Sequence, residues 1–212
     1  MIPRIAINTL YSMWPVLILG SVVLITLRLV YLFNEKKKII LYRELIYLSF
    51  FIYIILLFEL VTSTDYHAYG NNFVLFREIF RYQITSPLFL RNVVGNVVLF
   101  IPFGYFVSYF CKIKKVYLIL IVSFITSSTI ETIQFNIGRA FDVDDILLNV
   151  LGGLMGYGFY LLSSRFLKKY PNKFKNHLFL NFIFILIIML LVLIMLNVYE
   201  VIWWMNFILK TK

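Results

Sequence analysis

The stretch Ser127–Gly156 reads SSTIETIQFNIGRAFDVDDILLNVLGGLMG. Two apolar runs flank a short connector, and the polar residues gather where the runs meet it. Glu131 and Gln134 are three apart and share a helix face, as Asp145 and Asn149 do at four apart. Arg139 and Asp142 stand in the connector. The pattern predicts two membrane helices joined by a charged turn. Glu131 then lies roughly 10 Å inside its helix, at 1.5 Å per residue. An ionised carboxylate at depth costs about 2–3 kcal/mol or more unless it faces the bundle interior, pairs or protonates. Two readings follow. Structurally, Glu131 pairs with Arg139 and locks helix to connector. Functionally, it is a general acid/base, or a ligand for a cation or polar headgroup, with Gln134 orienting it.

The rest of the chain agrees with a membrane setting. Of its 212 residues 62% are hydrophobic and 14% charged, against roughly 45–50% and 25% in soluble domains. A soluble core cannot use that much apolar side chain, so the expected class is an all-α polytopic membrane protein, a single bundle of about six transmembrane helices. Charge-free or nearly charge-free runs place them at about 11–33, 44–64, 92–111, 116–137, 145–164 and 178–198. The first run continues to Phe33 without a small-residue cleavage site, which argues against a signal peptide. The organisation expected is a first helix and basic loop (1–44), a central membrane domain (45–163), and a basic loop, last helix and aromatic tail (164–212).

The net charge of +10 reflects topology rather than nucleic-acid binding. Twelve of the 20 basic residues sit in three short connections, 34–43, 112–115 and 165–177. The positive-inside rule puts those in the cytoplasm and both termini outside, together with the Arg139–Asp144 connector. The long 65–91 connection alternates Phe73, Val74, Phe76, Ile79 and Phe80 with Arg77, Glu78 and Arg81, as a short interfacial helix would. Trp203 and Trp204 suggest an aromatic anchor in the tail.

The other polar residues each carry a bland reading beside a functional one. Asn92 and Asn96 are one turn apart, and either glue helices or face a site. Pro102 removes a backbone donor and should kink its helix. Asp142 can N-cap the fifth span, with Asp144 and Asp145 in its first turn. Gly152, Gly153 and Gly156 form a small-residue stripe suited to close packing. Glu59 reaches the interface or joins the site, and Arg28 snorkels to the nearer surface. His67 and His177 fall on opposite sides of the membrane and cannot pair, while Cys111, the single cysteine, reads as a small apolar residue.

Three motifs in order resemble the VanZ-like family of bacterial integral membrane proteins. They are N-x-x-x-F-x-P-x-G at Asn96, Phe100, Pro102 and Gly104, I-E-x-x-Q at Ile130, Glu131 and Gln134, and R-x-x-D-x-x-D-x-x-x-N-x-x-G at Arg139, Asp142, Asp145, Asn149 and Gly152. The likeness covers roughly residues 45–163. An upstream family element, N-L-x-P-F, stands here as Asn72, Phe73, Val74, Leu75 and Phe76, with leucine in place of proline. The resemblance implies a protein of the bacterial cell membrane linked to the envelope and, for the family's namesake, reduced susceptibility to the glycopeptide teicoplanin.

Two functions of different class remain open. In the first, a non-enzymatic protein binds a phospholipid headgroup or lipid-linked wall precursor in an outward polar pocket of Asn96, Glu131, Gln134, Arg139, Asp142, Asp145 and Asn149, with Arg139 on a phosphate or carboxylate. In the second, an intramembrane enzyme acts on such a lipid, with Glu131 as base and Asp142 and Asp145 holding a divalent cation. The sequence requires no cofactor. A transporter finds little support in a single domain without inverted repeats.

Overall fold

The computed structural model describes residues 2–62, 70–84 and 86–169. The expected sixth helix over 178–198, the aromatic tail, His67 and His177 lie outside them. Among the described residues the chain is all-helical apart from one isolated parallel bridge. Among the described residues five helical segments are long and apolar enough to cross a bilayer: Met13–Asn34, Leu41–Thr62, Pro87–Cys111, Val116–Asn136 and Val143–Phe166. Their outward side chains, such as Leu19, Phe33, Phe124 and Leu162, are large, apolar and exposed, which suits a surface covered by lipid rather than water.

The first two spans are α1 (Ile2–Asn34) and α2 (Leu41–Thr62). They form a hairpin whose turn carries the basic loop. Arg28 donates to Glu44 at 2.6 Å and lies over the Tyr47 ring, so the charge expected to reach the surface is paired across the turn. Two short helices follow, α3 (Arg77–Arg81) and α4 (Pro87–Phe89). The chain then makes a wide π-helical turn, Leu90–Val94, that runs into α5 (Gly95–Cys111). The bundle closes with α6 (Val116–Asn136) and α7 (Val143–Lys169).

The tightest seam is between α5 and α7. A Cβ on Gly104 would collide with the backbone of Gly153, one on Gly152 with Val97, and one on Gly156 with Ile101. Absence of side chains lets the two backbones touch, and that dispersion contact is the principal attraction available between helices in lipid. The glycine stripe thus packs as its composition implied. α6 covers the other side of α7, where Ile113, Ile119 and Tyr157 form a buried cluster and the Tyr157 hydroxyl donates to Lys114 O at 3.1 Å.

α2 meets α5 differently along its length. In the half nearer the basic loops, Tyr47 stacks on Phe110 with centroids 5.0 Å apart, and Phe50 packs on Phe106 and Phe110. The Tyr53 hydroxyl donates to Leu99 O at 2.9 Å, in the turn that Pro102 deprives of a donor. α5 itself runs through Pro102 as one helix. In the other half α2 and α5 flank a cavity.

Candidate functional site

Local structure explains how the connector is aimed. α6 ends in a Schellman turn: Gly138, at φ 88°, donates to Phe135 O, and Arg139 N donates to Gln134 O at 2.9 Å. Glycine accepts that left-handed backbone without a Cβ penalty. The turn sets Arg139 directly above the last turns of α6. Asp142 then caps α7, its Oδ1 accepting from Asp144 N at 2.8 Å.

Glu131 is 1% exposed and both of its oxygens are engaged. Asp142 N donates to Oε2 at 3.0 Å. The Gln134 amide, oriented so that both its ends are satisfied, donates to Glu131 Oε1 at 2.9 Å and accepts from Arg139 Nη1 at 3.0 Å. Arg139 Nη1 also lies 3.2 Å from Val61 O of α2. The direct Glu131–Arg139 ion pair of the structural reading is therefore corrected to a relay with Gln134 in the middle. An amide can donate to one partner and accept from the other, so it bridges acid and cation without bringing them together.

The remaining expected residues tie the helices around the same space. Asn96 on α5 donates to Asp145 on α7 through a short hydrogen bond, and Asn149 donates to Ser127 Oγ on α6 at 2.9 Å. Asn149 and Ser127 are buried, so that pair serves packing as well. Asn92 and Asn96 both line the cavity described below but bond different partners: Asn92, in the π turn, donates to the Tyr82 hydroxyl at 3.0 Å. Burial raises the Tyr82 phenol above its ordinary value. It likewise raises the Asp142 carboxyl, against the opposing hydrogen bonds from Asn72 and Asp144 N.

Sequence reasoning missed the roof. Asn72 is buried and pairs with the connector as a parallel bridge, its N–H donating to Phe141 O at 2.8 Å and its carbonyl accepting from Val143 N at 3.1 Å. Its side chain donates to Asp142 Oδ1 at 2.8 Å and caps its own turn by accepting from Val74 N. Asp144, also 1% exposed, stands in the first turn of α7 as expected, and its carboxylate accepts from the backbone N–H groups of Phe76, Glu78 and Ile79. It caps α3 from 66 residues away. This confines the expected interfacial helix to Arg77–Arg81 and begins it from Phe76 in a left-handed conformation (φ 66°). Phe73, Phe80 and Ile84 are left pointing outward. In the sequence Asn72 stands only as the first residue of the altered N-L-x-P-F element, with no site role attached, and nothing local marks the partner of Asp144.

Together these elements enclose a cavity of about 460 Å³. All seven of the residues singled out from the sequence line it, and so do Asn72, Asp144, Tyr82 and Asn92. Glu59 does not. Leu57, Leu60 and Val61 of α2 supply an apolar wall, so the site spans four helices and a loop. No group of three metal-ligating side chains comes together among the described residues. Asp142 is engaged by Asn72 and the α7 cap, and Asp145 by Asn96.

Helices of this length around a buried polar chamber define a multi-pass membrane protein. The model of the VanZ/LLP1 family matches residues 44–168, more than half of the chain, and the chain belongs to that family. Protein VanZ of Enterococcus faecium is 29% identical over 113 residues, which are 51% of this chain and 63% of that protein. The match thus covers less than two thirds of the relative's length. No solved structure matches the chain significantly.

Proposed function

We propose that the chain is an envelope protein that binds the polar head of a lipid or lipid-linked wall precursor in this cavity, which faces the outside of the cell, and that it does so without catalysis. The observation that carries the reading is the relay. Arg139 is held at the cavity wall by Gln134 and Val61 O, and is not neutralised by contact with Glu131. A guanidinium so placed can take a phosphate or carboxylate in charge-assisted hydrogen bonds. Glu131 and Asp145 offer acceptors to a hydroxyl or amine. The clustering of Lys and Arg in the 34–43, 112–115 and 165–177 connections supports an outward connector. Asp142 is committed to Asn72 and to the α7 cap, which leaves Asp145 without the second carboxylate of the metal reading and favours binding over metal-assisted hydrolysis. Lowered susceptibility to teicoplanin-type glycopeptides is the phenotype that such binding would supply.

Lipid extracted from the purified protein and identified by mass spectrometry tests the reading. Retained lipid should fall at least tenfold in Glu131→Gln and Arg139→Ala; equal retention in both variants would sink it. A cysteine replacing Ala140, in a Cys111→Ser background, should be labelled from outside intact cells. Labelling only after permeabilisation would invert the topology.

A further inference from the structure

We infer that the ligand reaches the cavity sideways from the bilayer, through the gap between α2 and α5, and is a phospholipid whose acyl chain lies along α5. This rests on the headgroup reading above and adds the route and the class of molecule.

The gap is visible in how the two helices meet. Aromatic contacts and the Tyr53–Leu99 hydrogen bond close them in one half. Beyond that point Leu90, Val94 and Val98 of the π turn and α5 line the cavity, yet are 48%, 37% and 54% exposed. A side chain that borders an internal chamber and also the outer surface marks an opening. All three border the same cavity, and so form one exposed apolar stripe along the π turn and the start of α5. Opposite stand Leu57, Leu60 and Val61, of which Leu57 and Val61 are buried. Both edges of the opening are apolar and lie within helices long enough to span the membrane, so hydrocarbon rather than water faces them.

Chamber and stripe are continuous, and their chemistry differs: carboxylates, amides and arginine at one end, aliphatic side chains at the other. An amphiphile satisfies both at once. Charge selects among amphiphiles. One guanidinium beside two carboxylates suits a phosphate that carries a small amine or hydroxyl, as a phospholipid headgroup does. Within the chamber the phosphate belongs at Arg139, and the amine or hydroxyl at Glu131 and Asp145.

The full chain is reconstituted in vesicles of phosphatidylethanolamine and phosphatidylglycerol, doped with phosphatidylethanolamine bearing a mid-chain diazirine. It is irradiated, and the adducts are mapped by mass spectrometry. Adducts should concentrate on residues 90–98 and 57–61. Val94→Trp and Val98→Trp, which fill the stripe from an exposed face, should each cut them at least fivefold, whereas Val23→Trp on the outward face of α1 should leave them unchanged. Adducts spread evenly over exposed apolar positions, or unaffected by both stripe variants, overturn the lateral route. So does a stripe protected by adduct-free contact with residues 178–198 in a chemical cross-link. A polyprenyl-diphosphate sugar–peptide that displaces the probe more strongly than unlabelled phosphatidylethanolamine overturns the choice of phospholipid. If the protein retains lipid in an Arg139-dependent way while the stripe stays unlabelled, the headgroup reading stands and the route alone fails. If the stripe is labelled equally in wild type and Arg139→Ala, the headgroup reading fails instead.

Discussion

The two faces of α5 are built on opposite rules. Toward α7 the helix presents Gly104 and bare backbone, and the partner answers with Gly152, Gly153 and Gly156, leaving no room for a single added carbon. At the cavity mouth the π turn and the start of α5 present Leu90, Val94 and Val98, branched or long side chains that stay exposed. In lipid, burying apolar surface gives no advantage over leaving it against hydrocarbon, so the second face carries no penalty for staying open. The first must be tight because contact is its main source of attraction. One helix can therefore be both the rigid back of a site and its doorway.

The largest effect should come from adding bulk to the tight face. Gly104→Leu forces side-chain carbons into the Gly153 backbone, which cannot rotate away. Overpacking of this kind costs about 1–3 kcal/mol and can cost more, and here the seam would have to part. Fluorescence-detected size-exclusion chromatography should show little monodisperse protein. Val98→Phe, which adds the same four carbons on the open face, should elute and melt as wild type. Equal damage from both would erase the distinction between the faces.

The roof over the open side comes next. Asp144→Ala leaves three backbone N–H groups of the α3 turn without their acceptor. Hydrogen bonds to a charged group contribute about 1.5–3 kcal/mol, less at a half-exposed turn such as this one, and the loss should be local. Hydrogen exchange at residues 76–79 is expected to speed up by ten- to a hundredfold while residues 97–104, in the seam, keep their protection. Seam protection falling in step would mean that roof and seam unfold as one unit.

How much of this was legible depends on how local each cause is. Glu131 and Gln134 on one face, the Asp142 cap and the glycine stripe follow from spacing along one helix, and spacing is what a sequence displays. The partners of Asp144 and Asn72 lie 66 and 70 residues away, across a loop whose apolar alternation suggested a longer helix. The π turn separates the partners of Asn92 and Asn96, though 3.6-residue counting put the two side by side. The Glu131–Arg139 pair was inferred from charge alone. Charge says that two groups attract, not that an amide of suitable length stands between them.

The smallest effect tests where the open half of the α2–α5 contact begins. Tyr53 of α2 bonds α5 through Leu99 O, at the level where the two helices begin to flank the cavity. Tyr53→Phe keeps the ring and its contact with Phe106, whose centroid is 6.1 Å away, and removes only the hydroxyl. Hydrogen bonds between membrane helices average about 0.6 kcal/mol, so thermal unfolding should shift by only a degree or two. The consequence for the cleft should be larger than for the fold. With the hydroxyl gone, the aromatic half can loosen and the opening can extend toward the basic loops. Lipid exchange, measured as release of a fluorescent phosphatidylethanolamine from the protein, should then speed up about threefold, following the ~0.6 kcal/mol removed from the closed arrangement. Unchanged exchange with the expected drop in stability would show that the doorway ends above Tyr53, at the Leu57–Val98 level, and that the hydrogen bond only fastens the helices below it.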